Sequence, residues 1–144
     1  MSLSASESIL EAVGKTPLIR LKRSVQGLAP AILAKVESAN PGGSSKDRIA
    51  LNMLDEAEKS GALQPGGTIV EATAGNTGLG LALVAAVRGY RCIFVLLDKM
   101  SEDKIRLLRV YGVEVVITPT AVPPDSPESY NGVANRLARE IEGA

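Results

Sequence analysis

From about residue 45 onward, apolar positions alternate between helical and strand-like runs, with turn-forming clusters between them. Residues 45–60 have helical spacing. Ile49, Met53, Leu54 and Ala57 share one face, Asp55, Glu56 and Lys59 lie largely elsewhere, and Gly61 is placed to end the helix. Thr68, Ile69 and Val70 begin a buried strand. Residues 79–88 are apolar on nearly every side, which predicts a helix buried on most faces and closed by Gly89. A strand over 91–97, a helix over 101–111 capped by Ser101, and a strand over 113–117 follow. A last helix is expected to open at Ser126-Pro127-Glu128, a serine cap with proline at the first position and an acid in the first turn. Val133, Leu137 and Ile141 would form its buried face. This order predicts an α/β fold, a three-layer sandwich with a mainly parallel sheet and helices on both faces. Ahead of it lie a short helix over 6–13 ended at Gly14, a strand over 18–21, a turn over 24–30 and a strand over 31–37.

The 144 residues suffice for one domain with a real core. Sixteen basic residues balance sixteen acidic ones and aromatics make up 3%, so neither a nucleic acid nor an anionic membrane is expected as partner. There is one cysteine, Cys92, and no histidine. That rules out an internal disulfide, a Cys/His zinc site and a Ser-His-Asp or Cys-His centre within these residues. Cys92 lies in an apolar run and reads as a buried structural thiol, with the cytosol as the expected compartment. Residues 1–8 lack the layout of a signal peptide, and the apolar runs 79–87 and 92–97 are too short to span a bilayer.

Two loops carry candidate chemistry. The first is Asn40-Pro41-Gly42-Gly43-Ser44-Ser45-Lys46-Asp47-Arg48, a turn-forming stretch that runs into a helix. Ser44 and Asp47 have capping-box spacing, which puts Lys46 in the first helical turn. The positive end of a helix disfavours a protonated amine there, and a Schiff-base lysine needs its amine neutral. An ordinary solvated lysine satisfies the same pattern. The second is Thr73-Ala74-Gly75-Asn76-Thr77-Gly78, between a strand end and a helix start, where open α/β sheets bind ligands. Its glycines allow close approach, and free N–H groups at the helix start suit a carboxylate or phosphate. The glycines at 75, 78 and 80 match neither the dinucleotide fingerprint nor a P-loop. A tight turn without a ligand remains the alternative.

Together with Gly14-Lys15-Thr16-Pro17-Leu18, these two loops resemble the fold type II (β-family) pyridoxal-phosphate enzymes over nearly the whole chain. The stretches Ala85-Ala86-Val87-Arg88-Gly89-Tyr90-Arg91-Cys92-Ile93, Asp98-Lys99-Met100-Ser101 and Asp125-Ser126-Pro127-Glu128-Ser129 are most similar to the cystathionine β-synthase branch, with cysteine synthases close behind. The resemblance implies that Lys46 bonds pyridoxal phosphate and moves the substrate's α-proton. It implies that Asn76 hydrogen-bonds the cofactor's 3′-oxygen, and that Thr73, Gly75, Asn76 and Thr77 hold the carboxylate of an amino-acid substrate. The implied reaction is β-replacement: serine with homocysteine, or an O-activated serine with sulfide.

The chain departs from the family pattern at two positions. Ala74 stands where the family has serine, which removes a donor worth about 1 kcal/mol if used. Ser45 stands where valine is common, a change of packing. No Gly-x-Gly-Gly phosphate loop occurs in the sequence, so the chain alone is expected to be inactive. The resemblance also divides the chain into residues 1–40, whose strands would join a larger domain, and a small α/β domain over 41–144. The early strands are then expected to be displaced, mobile or paired with a second copy, which makes a homo-oligomer the expected assembly. An α/β module that binds an anion or a protein partner without catalysis is the alternative of another class.

Overall fold

A computed structural model of the chain describes residues 5–73 and 75–144. Its strands are β1 (Leu18–Arg20), β2 (Leu33–Lys35), β3 (Thr68–Ala72), β4 (Arg91–Leu97) and β5 (Glu114–Thr118), and its α-helices are α1 (Lys46–Ser60), α2 (Asn76–Arg88), α3 (Glu102–Val110) and α4 (Tyr130–Glu140). Strands β3, β4 and β5 form a parallel sheet in that order, with Val70 opposite Ile93 and Val95 opposite Val116. As the central strand, β4 is covered on both faces and therefore reads as a continuous apolar run. Cys92, Phe94 and Leu96 pack with Ala50 and Leu54 of α1, Leu81 and Val84 of α2, and Leu108 of α3. Val95 points the other way, onto Val133 and Ala134 of α4. The result is the expected three-layer α/β sandwich. Among the described residues no helix is long and apolar enough to cross a membrane.

Several local expectations are corrected. The buried stripe of α1 is Asp47, Ala50 and Leu54, whereas Ile49 and Met53 are 44% and 45% exposed. Close packing explains the rotation, because α2 lies against small Ala50 instead of the larger side chains. Helix α2 starts at Asn76, three residues ahead of its apolar pattern. Helix α4 starts at Tyr130, with the buried Ser129 as its cap; the Ser129 hydroxyl accepts from the Gly132 N–H at 3.1 Å. Ser126-Pro127-Glu128 instead forms a preceding turn, in which Ser126 Oγ accepts from the Glu128 N–H. Ser44 and Asp47 do not form a capping box. Ser44 Oγ accepts from the Lys46 N–H at 3.2 Å, while the Asp47 carboxylate turns back to Gly42.

The early segment has shorter elements than expected, and its strands pair with each other. A single 3₁₀ turn, Ile9–Ala12, carries a capping box between Ser8 and Glu11. Strands β1 and β2 find their partners within the chain: they pair antiparallel with each other, Ile19 opposite Ala34, apart from the main sheet. The Leu21 N–H donates to the Ile32 carbonyl at 3.0 Å and extends the pairing by one residue.

Candidate active site

Lys46 is the first residue of α1 and is half-buried. The loop before it is closed by Asp47, whose Oδ2 accepts from the Gly42 N–H at 2.5 Å. A methyl at Gly42 would stand 2.5 Å from Asp47 Oδ1, so the backbone can come this close only at glycine. Asp47 is fully buried and its Oδ1 has no partner. Burial pushes this carboxyl above its ordinary value of 3.8, against the lowering effect of the Gly42 N–H.

Arg48, next along, ties the loop to the early segment. Its Nη2 donates to the Gly14 carbonyl at 3.0 Å, to Thr16 Oγ1 at 3.1 Å and to Glu37 Oε1 at 2.8 Å, while its Nε donates to Glu37 Oε2 at 2.9 Å. The Gly14 N–H donates to Asn40 Oδ1 at 2.8 Å, and Asn40 Nδ2 donates to Glu37 Oε2 at 2.9 Å. The Arg48 hydrogen bond, helped by those from Asn40 and Thr16, holds the Glu37 carboxyl down to about 2 from its ordinary 4.5. The Gly14–Pro17 stretch is thus docked on the base of the lysine loop.

The second loop leaves the C-terminal end of β3. Thr73 is buried, and its N–H donates to the Val95 carbonyl at 3.2 Å. Gly75 caps α2 in extended conformation and is exposed, with open space where a side chain would stand. Asn76 and Thr77 open the helix, and among the described residues their side chains make no hydrogen bonds. The N–H groups of this first turn have no carbonyl one turn back, so they are available to an anion. Ala74, the site of the expected departure, lies outside the described residues.

The two loops meet because α1 and α2 pack at contact distance. A methyl at Gly80 would lie 2.9 Å from the Lys46 carbonyl oxygen and 3.0 Å from Ala50 Cβ. Gly80 is one turn beyond Asn76 on the same helical face, so this approach sets the start of α2 beside the start of α1. Gly78 is packed as tightly, against Thr73 Cγ2 at 2.5 Å from a would-be methyl. Sequence reading gave Asp47 a capping role instead of the Gly42 contact, and it did not foresee the Gly80 approach or the Arg48–Glu37 cluster. Two glycines two apart in an apolar helix were the available sign of close packing.

A family model described as "Pyridoxal-phosphate dependent enzyme" matches residues 9–144. The chain belongs to that family. Its cofactor is pyridoxal phosphate, and the residues present fit one end of it. Lys46, a half-buried residue, has the amine that would suit the aldehyde, and the open Gly75–Thr77 turn would suit an anion. No Gly-x-Gly-Gly stretch is present to cradle the phosphate. The chain is 55% identical over 135 residues to cystathionine beta-synthase of Rattus norvegicus, covering 92% of this chain and 24% of that protein. It is 51% identical over 136 residues to cysteine synthase 1 of Emericella nidulans, covering 94% and 36%. A solved hydrogen sulfide-producing enzyme from Fusobacterium nucleatum superposes with a TM-score of 0.87 at 37% identity, over 97% of this chain and 44% of that one. The chain therefore spans between about a quarter and 44% of the length of these relatives.

Proposed function

We propose that this chain carries the lysine and the substrate-carboxylate loop of a β-replacement enzyme of sulfur amino-acid metabolism, of the cystathionine β-synthase type. The observation that supports the reading is the Gly80 contact, which packs the Lys46 carbonyl in the first turn of α1 against α2 one turn beyond Asn76. Bound pyridoxal phosphate supplies an electron sink for the pair left when a proton leaves the substrate's α-carbon. Lys46 would hold the cofactor at its aldehyde, and its amine, released when the substrate's own amine takes its place there, would take up and return that proton. Thr73, Gly75, Asn76 and Thr77 hold the substrate carboxylate through backbone and side-chain donors, and Asn76 also orients the cofactor's 3′-oxygen. In the overall reaction the β-hydroxyl of serine leaves as water and the thiol of homocysteine bonds to the β-carbon, giving cystathionine. The identity to a cysteine synthase supports a second reading, in which an O-activated serine and sulfide are the reactants.

By the same reading the protein is cytosolic, which its single buried cysteine supports, and homo-oligomeric, which the open edges of the β1–β2 pair support. The 144 residues alone are read as inactive, since they carry no cradle for the phosphate. Borohydride reduction of the chain with pyridoxal phosphate, followed by peptide mapping, tests the assignment. Label concentrated at Lys46 and absent from Lys46→Ala is the expected result. Label spread over many surface lysines overturns it.

A further inference from the structure

A groove of about 320 Å³ opens beside the substrate loop, lined by Leu97, Lys99, Met100, Ser101 and Lys104. Met100 and Lys104 also line, with Thr73 and Gly75, the small apolar cavity at the foot of that loop. The groove therefore shares two lining residues with the cavity at the residues assigned to the first substrate's carboxylate. Its charge is one-sided. The acids nearest in sequence have other partners: Asp98 Oδ1 accepts from the Thr120 N–H and hydroxyl, Glu102 Oε2 from Arg106 at 2.7 Å, and Asp103 lies 3.8 Å from Arg106. Among the described residues neither Lys99 nor Lys104 lies within ion-pair distance of a carboxylate, although, after the Thr120 hydrogen bond, the Lys99 charge helps to hold the Asp98 carboxyl below its ordinary value, so Lys104 is the uncommitted cation. The Ser101 hydroxyl makes no capping bond to α3 and is free to donate as well. Leu97 and the Met100 thioether supply an apolar, polarisable floor.

An apolar floor with an uncommitted cation at Lys104 suits a ligand that joins an anionic head to a short alkyl or thioalkyl chain. Hydrosulfide is itself an anion, but it has no alkyl chain for the apolar floor and no carboxylate to pair with Lys104 while its sulfur reacts. We propose that this groove is the subsite for the second substrate, a thiol that bears its own carboxylate, with Lys104 holding that carboxylate. Such a subsite assigns the chain to reactions that join two amino acids through sulfur instead of those that take up sulfide. The thiol's role as nucleophile rests on the β-replacement reading above; its binding in the groove does not.

Heteronuclear NMR of the isotope-labelled chain tests this without turnover. L-homocysteine should shift the amides of Met100, Ser101 and Lys104 in a saturable way, and sulfide and propanethiol, which lack the carboxylate, should not. Lys104→Ala should weaken homocysteine binding by about tenfold, the loss of one charge-assisted contact at a partly exposed site, and Lys104→Arg should restore most of it. Lys104 is exposed, and the spectrum itself reports whether each variant is folded. Equal shifts with propanethiol, shifts confined to other surfaces, or unchanged affinity in Lys104→Ala overturn the proposal. Borohydride labelling at Lys46 is scored separately. Labelling with no groove binding removes the subsite and leaves the family chemistry. Groove binding with no labelling keeps the subsite and removes the β-replacement reading.

Discussion

Asp47 is the residue whose environment is least expected for its type. It is fully buried beside the lysine, with one carboxylate oxygen bonded to Gly42 and the other unpartnered. A buried, half-satisfied carboxylate disfavours the folded state when ionised. Burial raises its folded value above the ordinary 3.8, so the folded chain binds a proton that the unfolded chain has released. Stability from this group is fully present below 3.8 and is lost as pH rises through the raised folded value. Asp47→Asn keeps an oxygen for the Gly42 N–H and carries no charge. The variant should therefore be more stable than the parent at neutral pH, with the difference closing as pH falls to 3.8 and below. Urea unfolding midpoints measured across that range check the sign. A variant less stable at neutral pH would mean that the ionised carboxylate is used, and that Oδ1 has a partner in solution.

At the scale of elements, the site depends on how closely α1 and α2 approach. Gly80→Ala would add about 1 kcal/mol of helix propensity. It would also force a methyl to within 2.9 Å of the Lys46 carbonyl, a backbone atom in the first turn of α1 that cannot swing aside. Overpacking of this kind costs about 1–3 kcal/mol and moves the two helix starts apart. A net loss of about 1 kcal/mol is expected, together with a loss of Lys46 selectivity in the borohydride experiment. Unfolding and labelling measured on one preparation separate a mere change of stability from a displaced lysine. The same elements show what the sequence made legible. The order of strands and helices, the span of β4 and the glycine that ends α1 follow from apolar period and turn chemistry, which are local. The buried face of α1 was misread because Ile49 and Met53 are the larger apolar groups. The seam instead follows small Ala50, and that choice is made by Gly80 thirty positions away. Lys46 and the Thr73–Thr77 loop were legible as motifs. The Arg48–Glu37–Asn40 cluster was not, since its members are ordinary polar residues until the fold joins Gly14 and Thr16 to the lysine loop.

Across the whole molecule the imbalance lies between a sheet covered on both faces and a strand pair whose larger apolar side chains stay exposed. Leu18 on β1 and Leu33 on β2 share one face of that pair and are 58% and 54% exposed, and Ile19 on the other face is 48% exposed. A two-stranded ladder of three residues per strand is marginal by itself. Here it is anchored at its base, where Lys35 Nζ donates to the Thr16 carbonyl at 2.5 Å and the Val36 N–H donates to the Pro17 carbonyl at 3.0 Å. Among the described residues no other strand pairs with either outer edge. An open edge flanked by exposed leucines is a template for another strand, and in a solution of this chain the available strand belongs to a second copy. Sedimentation velocity should therefore show association that grows with concentration. Leu33→Lys should reduce it by charging the exposed face, while leaving the unfolding midpoint nearly unchanged because the position packs against nothing in the core. Equal association in the parent and in Leu33→Lys would move the contact elsewhere, to the Ile49 and Met53 face of α1 in the first instance, and Met53→Lys would then be the informative variant.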